Sequence, residues 1–110
     1  RELSGKEGII LDFLERKVPS NWDSLDLQKR RMFLNGNMKL PDGMELVPRE
    51  RVCAAEIWVE CFGSELKHMK RSDSTEINNI LLCLKGWERI KTPRRFGAYG
   101  PQRGFERVTT

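Results

Sequence analysis

The sequence predicts a mainly α-helical domain that closes on one small β-hairpin, an α+β chain, on three observations. Four stretches repeat apolar residues at helical spacing. Two short stretches near the C-terminal end alternate apolar with charged residues. A Gly-, Pro- and Arg-rich loop joins those two stretches. At 110 residues the chain has room for one domain, or for a domain and an arm.

The first helix is expected over residues 6–17, with Ile9, Ile10, Phe13 and Leu14 on one face and Asp12, Glu15 and Arg16 elsewhere. Pro19 stops it, because the residue before proline avoids the helical region. Ser20-Asn21-Trp22-Asp23 is rich in capping side chains and announces a second helix from about Ser24 to Leu34. Its apolar residues, Leu25, Leu27, Met32, Phe33 and Leu34, keep a poor period, and Asn35-Gly36 ends it.

Residues 37–48 contain Pro41, the turn pair Asp42-Gly43, and Pro48. Met38-Lys39-Leu40 and Met44-Glu45-Leu46-Val47 flank the turn as a small hairpin or a plain loop. A boundary is placed here. Residues 1–47 are then a helical arm or linker from an upstream domain, and residues 48–110 the main domain.

The third helix has the clearest stripe. Pro48 sits near its start, and Val52, Ala55, Val59 and Phe62 form one line that Ala54, Trp58 and Cys61 widen. Glu56 and Glu60 fall on the other side, as a solvated face or in an ion pair with Arg49 or Arg51. Gly63 is a C-terminal stop. Residues 64–71 allow a helical turn or two, with Leu66 and Met69 inward. Asp73 with Glu76 has the capping-box spacing. The fourth helix follows, with Ile77, Ile80, Leu81 and Leu84 toward the core and Thr75, Asn78, Asn79 and Leu82 outward. Gly86 closes it.

Trp87-Glu88-Arg89-Ile90-Lys91 and Gly104-Phe105-Glu106-Arg107-Val108 then alternate as half-buried strands do. Helix, short helix, helix and a hairpin with a basic tip is the order of a winged helix-turn-helix. In that fold the helix before the hairpin lies in the DNA major groove, and the hairpin is the wing. The groove helix is expected over residues 74–85 and the wing over residues 87–108.

Charge placement agrees. The chain carries 20 Lys and Arg against 16 Asp and Glu, a net +4. From Lys85 onward there are seven basic and two acidic residues, a net +5, which leaves −1 for the first 84 residues. The candidate contacts on the wing are Arg89, Lys91, Arg94, Arg95, Arg103 and Tyr99, with Lys85 just before it. On the groove helix they are Thr75, Asn78 and Asn79. Arginines flanking Phe96 and Tyr99 suit phosphate contact with some stacking. The competing reading is a solvated charged hairpin or a protein-docking wing. Trp22, Trp58 and Trp87 are assigned to packing.

Other chemistry finds little support. Cys53, Cys61 and Cys83 are an odd, widely spaced set read as reduced thiols in a cytosolic core. With the single His68 they supply no zinc-ligand spacing. No G-x-x-x-x-G-K-[ST] cradle is present, and Gly97, Gly100 and Gly104 do not open a helix after a strand. No catalytic site, metal or cofactor is expected, and no apolar run reaches the ~20 residues of a membrane span. The chain opens on Arg1 with no apolar leader and is expected to be a piece of a longer cytoplasmic protein.

The chain resembles the C-terminal region of the virulence-associated protein E family of phages and mobile elements. The matching pieces begin with Glu7-Gly8-Ile9-Ile10, Asp12-Phe13-Leu14 and Pro19-Ser20-Asn21-Trp22. They continue with residues 51–63 (RVCAAEIWVECFG), Glu76-Ile77-Asn78, Gly86-Trp87 and residues 99–105 (YGPQRGF). The resemblance implies a replication protein with a superfamily 3-like helicase ATPase, often behind a primase-like domain. That ATPase would lie upstream of Arg1, and none of its nucleotide-binding motifs occurs here. The expected role is therefore a DNA-binding domain of a replicative helicase or primase-helicase, acting on duplex or forked DNA. The alternative is a protein-interaction or oligomerisation module of the same parent, with the apolar face of residues 6–17 as the contact.

Overall fold

The chain, a computed structural model in which residues 5–108 are described, is α+β: four α-helices and a few short antiparallel strands. Helix α1 spans Gly5–Glu15 and buries Ile10 and Leu14. Ile9 and Leu11, on its other faces, are exposed. Strand β1 (Val18–Pro19) follows, then a 3-10 turn over Trp22–Ser24. Helix α2 starts later than its sequence signals, at Leu27, and ends at Leu34. Asp26 caps it by accepting from the Lys29 amide at 2.8 Å, satisfying one of the first-turn donors. The poor apolar period of α2 has a simple cause: its one fully buried side chain is Arg30.

Leu46–Val47 forms strand β2, which pairs antiparallel with β1 (Val18 opposite Val47, Pro19 opposite Leu46) and not with residues 38–40. Strand β3 (Arg51–Val52) was not foreseen; these residues were expected in the third helix. That helix, α3, is one short α-turn over Ala54–Glu56 that widens into a π-helix over Ile57–Cys61. The widening shows in the Phe62 amide, which donates five residues back to the Ile57 carbonyl at 3.0 Å. At the Gly63 stop, where φ is +69°, the Ser64 amide reaches back six residues to the Trp58 carbonyl at 3.1 Å, one residue wider than the bond that closes an ordinary Schellman end.

A 3-10 turn (Leu66–His68) leads to α4, Arg71–Cys83. Helix α4 begins two residues before the expected Asp73 cap. Asp73 occupies the third helical position instead, and accepts from the Lys70 amide at 2.9 Å. Ile77, Ile80 and Leu81 are buried as the period requires.

The hairpin forms from β4 (Trp87–Arg89) and β7 (Phe105–Arg107), with Trp87 opposite Arg107 and Arg89 opposite Phe105. Strand β3 pairs with the free edge of β7, so the sheet order is β3-β7-β4. Between the hairpin strands, β5 (Arg94–Arg95) and β6 (Pro101–Gln102) make a second small ladder closed by a 3-10 turn, Gly97–Tyr99. The expected open loop is therefore folded.

Three apolar clusters organise the interior. The largest joins Ile10 and Leu14 of α1 to Val52, Ile57, Ile77, Leu81, Trp87 and Phe105. A second holds Cys53, Ala55, Ile90 and Phe96. A third holds Val18, Trp22 and Leu25. Residues on either side of the 47/48 boundary thus share one core, and β1 pairs with β2 inside the arm itself. Trp22 and Trp87 are buried as expected, and Trp58 is half-buried with its indole N–H on the Glu65 carbonyl at 2.7 Å.

Candidate nucleic-acid interface

The interface candidate is held in place by a buried cluster of charges. Arg30 of α2 and Arg49, just before β3, are 1% and 2% exposed. Arg30 Nη1 donates to Glu56 Oε2 at 3.3 Å and to Glu60 Oε2 at 3.0 Å. Arg49 Nη1 donates to Glu56 Oε2 at 3.2 Å. Glu56 Oε1 accepts from the Cys53 amide at 3.2 Å, so the same carboxylate caps α3. Glu56 and Glu60 therefore do not form a solvated face: their side chains are buried, opposite two guanidinium groups. The expected pair with Arg49 is present, whereas Arg51 pairs with Asp23 at 2.9 Å.

Burial pushes the Glu56 carboxyl up to about 7, because desolvation of the carboxylate outweighs its two guanidinium neighbours. Burial also lowers Arg49 from its ordinary value. The rings of Phe13 and Trp22 flank the cations: the Arg49 guanidinium lies 4.3 Å from the Phe13 centroid, and Arg30 lies 5.0 Å from that of Trp22.

This cluster fixes the basic loop. The Tyr99 hydroxyl donates to Glu60 Oε2 at 2.6 Å, and burial raises the phenol well above its usual range. Tyr99 is thus committed inward as an anchor. Phe96 is buried against Cys53 and Ala55, and Arg51 stacks on its ring at 4.8 Å. Two glycines permit the close approach. A Cβ at Gly104 would collide with the Phe96 ring and the Val52 carbonyl. At Gly97, where φ is +54°, it would come within 2.9 Å of Arg30 Nη2.

With its aromatics turned inward, the loop leaves its cations outside. Lys85, Arg89, Lys91, Arg94, Arg95 and Arg103 are all exposed. Arg89 lies over Phe105 at 5.4 Å. Arg107, by contrast, is structural: it donates to the Arg49 and Leu14 carbonyls at 2.8 and 2.9 Å. Arg94 and Arg95 are consecutive on β5 and so project to opposite faces of the ribbon. Arg94 lines a hollow of about 440 Å³ with Arg51, Arg107, Glu50 and Glu106. Arg95 faces away from it. Arg94 and Arg95 therefore do not share one face of the ribbon.

On α4, Thr75 and Asn79 are exposed and Asn78 is half-buried. Thr75 and Asn79 line an open groove of about 710 Å³ together with Arg71, Glu76 and, from α1, Glu7. Glu76 is tied to Lys6 at 2.7 Å. This face of α4 is mixed in charge, unlike the ribbon.

One contribution was missed in the sequence. Met69 packs against the cluster that contains Phe96. The segment carrying exposed Lys70 and Arg71 therefore starts α4 from the side of the core that the basic loop covers. The signal was Met69 itself, expected to point inward but given no partner.

Cys53 is buried, Cys61 half-buried and Cys83 exposed, all as free thiols. Cys83 departs from the expected buried position because it falls in the last turn of α4, on the groove side. Among the described residues no group of three or more His, Cys, Asp or Glu side chains could hold a metal ion, and no helix is long and apolar enough to cross a membrane. No protein-family model matches the chain, and no curated protein matches it in sequence.

Proposed function

We propose that this chain is the nucleic-acid-binding, winged-helix part of a phage or mobile-element replication protein, with β4–β7 as the wing and α4 as the groove helix. The observation that carries the reading is the five exposed cations, Arg89, Lys91, Arg94, Arg95 and Arg103, on a ribbon whose aromatic residues are turned into the core, with exposed Lys85 at its base. A cationic surface held by a rigid base meets a phosphate backbone at low ordering cost. The β3-β7-β4 sheet order supports it further, because a strand before the helix pair locks the hairpin beside α4. The resemblance to the virulence-associated protein E family supports placing this unit after a helicase-type ATPase and acting on duplex or forked DNA.

The mixed charge of the α4 groove favours backbone contact by the wing over base reading by Thr75, Asn78 and Asn79. A salt titration of duplex binding, with single-stranded competitor, tests the reading. If three to five cations reach phosphates, the slope of log affinity on log salt is about −3 to −4.5. A slope near zero contradicts it.

A second reading, a docking or oligomerisation module of the same parent, is favoured by the exposure of Ile9 (52%), Leu11 (39%) and Leu82 (54%). Self-association on a sizing column with no shift on DNA would select it.

A further inference from the structure

Strand β4 is an edge of the β3-β7-β4 sheet. Its rungs to β7 are the Val108 amide on the Gly86 carbonyl at 2.8 Å, the Glu88–Glu106 pair, and the Ile90 amide on the Gly104 carbonyl at 2.9 Å. Hydrogen-bonded rungs alternate along an antiparallel ladder, so Gly86, Glu88 and Ile90 turn their main-chain groups toward β7. Trp87 and Arg89, between them, turn theirs the other way. Among the described residues, no segment pairs with that side of the strand. Lys85, Gly86, Glu88, Arg89 and Lys91 are exposed along it. The edge is also held in place. Trp87 belongs to the main apolar cluster, and the Arg89 guanidinium lies 5.4 Å from the Phe105 centroid.

We propose that the free edge of β4 takes up an acidic, extended segment of a partner protein as an added strand. The outward amides and carbonyls of Trp87 and Arg89 are two donors and two acceptors in alternation, the template that another strand completes. A DNA backbone offers acceptors only and leaves both carbonyls unmet, whereas a peptide brings both kinds of group. Charge selects which peptide. Lys85, Arg89 and Lys91 stand along the edge against Glu88 alone. The same charges oppose pairing with a second copy about a twofold axis. Centred on Glu88, such a pair sets Glu88 against Glu88; centred on Arg89, it sets Arg89 against Arg89; centred on Trp87, it sets Arg89 against Lys85. In the acidic segment, a carboxylate opposite Arg89 and an uncharged residue facing Glu88 put the acids at every second position. The site does not rest on the nucleic-acid reading. Arg89 and Lys91 are also candidate nucleic-acid contacts, so peptide and duplex compete there.

The test follows amide exchange into deuterated water, residue by residue, in the 110-residue chain. In the free chain the Trp87 and Arg89 amides are expected to exchange faster than the bonded amides of Glu88 and Ile90. A soluble peptide of about seven residues, alternating threonine and aspartate, is then added. At saturation the Trp87 and Arg89 amides are expected to slow together, by at least about tenfold. The same peptide with its aspartate amides N-methylated keeps its charge and loses its donors. It is expected to bind at least about tenfold more weakly. A peptide alternating threonine and lysine is expected not to bind. Lys91→Glu changes an exposed side chain, and is expected to weaken the acidic peptide about fivefold with the melt unchanged.

Slow exchange of Trp87 and Arg89 in the dilute free chain means that the edge is already covered, and overturns the site. Protection that grows with protein concentration alone assigns the edge to a second copy and overturns it too. So does equal binding of the N-methylated or the lysine peptide, or an unchanged affinity in Lys91→Glu. Protection of the same amides by duplex DNA but not by the acidic peptide gives the edge to nucleic acid, against this inference. Peptide protection without any duplex binding refutes the proposed function and leaves this site standing.

Discussion

The Tyr99 hydroxyl donates to Glu60 Oε2 over 2.6 Å, and Arg30 Nη1 reaches the same oxygen at 3.0 Å. A residue in the basic loop is thus bonded to the π-helix and, through one carboxylate, to α2. The loop's position is set from inside the molecule.

Tyr99→Phe removes that bond and leaves Glu60 with Arg30. The expected cost is about 1–2 kcal/mol, or a fall of roughly 5–10 °C in Tm for a domain of this size. The loop should loosen more than the body. Trypsin cleavage after Arg94 and Arg95 is expected to quicken in the variant under conditions where α1 and α4 remain intact. Equal protection in both proteins would show that Tyr99 does not hold the loop.

Glu56 gives a pH dependence with a definite sign. Its carboxyl rises from 4.5 in the unfolded chain to about 7 in the folded one. A raised carboxyl contributes its full stability below the unfolded value and loses it as pH climbs through the folded value. Stability is expected to decline from about pH 4.5 to 7 and level off above. Glu56→Gln imitates the protonated acid. It should melt close to the parent at pH 5 and several degrees above it at pH 8. A variant that is less stable than the parent at pH 8 by more than at pH 5 would mean that the two arginines outweigh desolvation.

The thiols should separate by burial. Cys53 is pushed up to about 12 and Cys61 to about 11, both by desolvation, while Cys83 is exposed. With iodoacetamide at pH 8, mass spectrometry is expected to find Cys83 modified first. Cys61 and Cys53 should lag by at least about 100-fold, because the thiolate is the reacting form. Prompt labelling of Cys53 without denaturant would contradict its place in the core.

The helices and the hairpin were legible because each buries a periodic apolar face: Ile77, Ile80 and Leu81 in α4, Trp87 and Phe105 in the sheet. What the sequence concealed is polar or non-local. Strand β3 has two residues and exists only through pairing with β7, more than 50 positions away. Arg30, Arg49, Glu56 and Glu60 look like surface residues to any periodicity. Their burial depends on four side chains from three separate segments meeting at once. Tyr99 looked like a stacking residue for the same reason, since its acceptor is 39 positions away. The exposed arginines were legible from charge placement alone, but the opposite projection of Arg94 and Arg95 required the β5-β6 ladder.

The central claim is that the cations on the ribbon hold nucleic acid. Its most direct test is duplex affinity at low salt for the parent and for Arg94, Arg95 and Arg103 changed together to Ala, with circular dichroism melts to establish folding. None of the three side chains joins an ion pair or side-chain hydrogen bond among the described residues, so the variant is expected to melt as the parent does. Its affinity should fall by at least about 100-fold, with a salt slope shallower by up to about 3. A folded variant that binds duplex as tightly as the parent, with the same slope, would contradict the account.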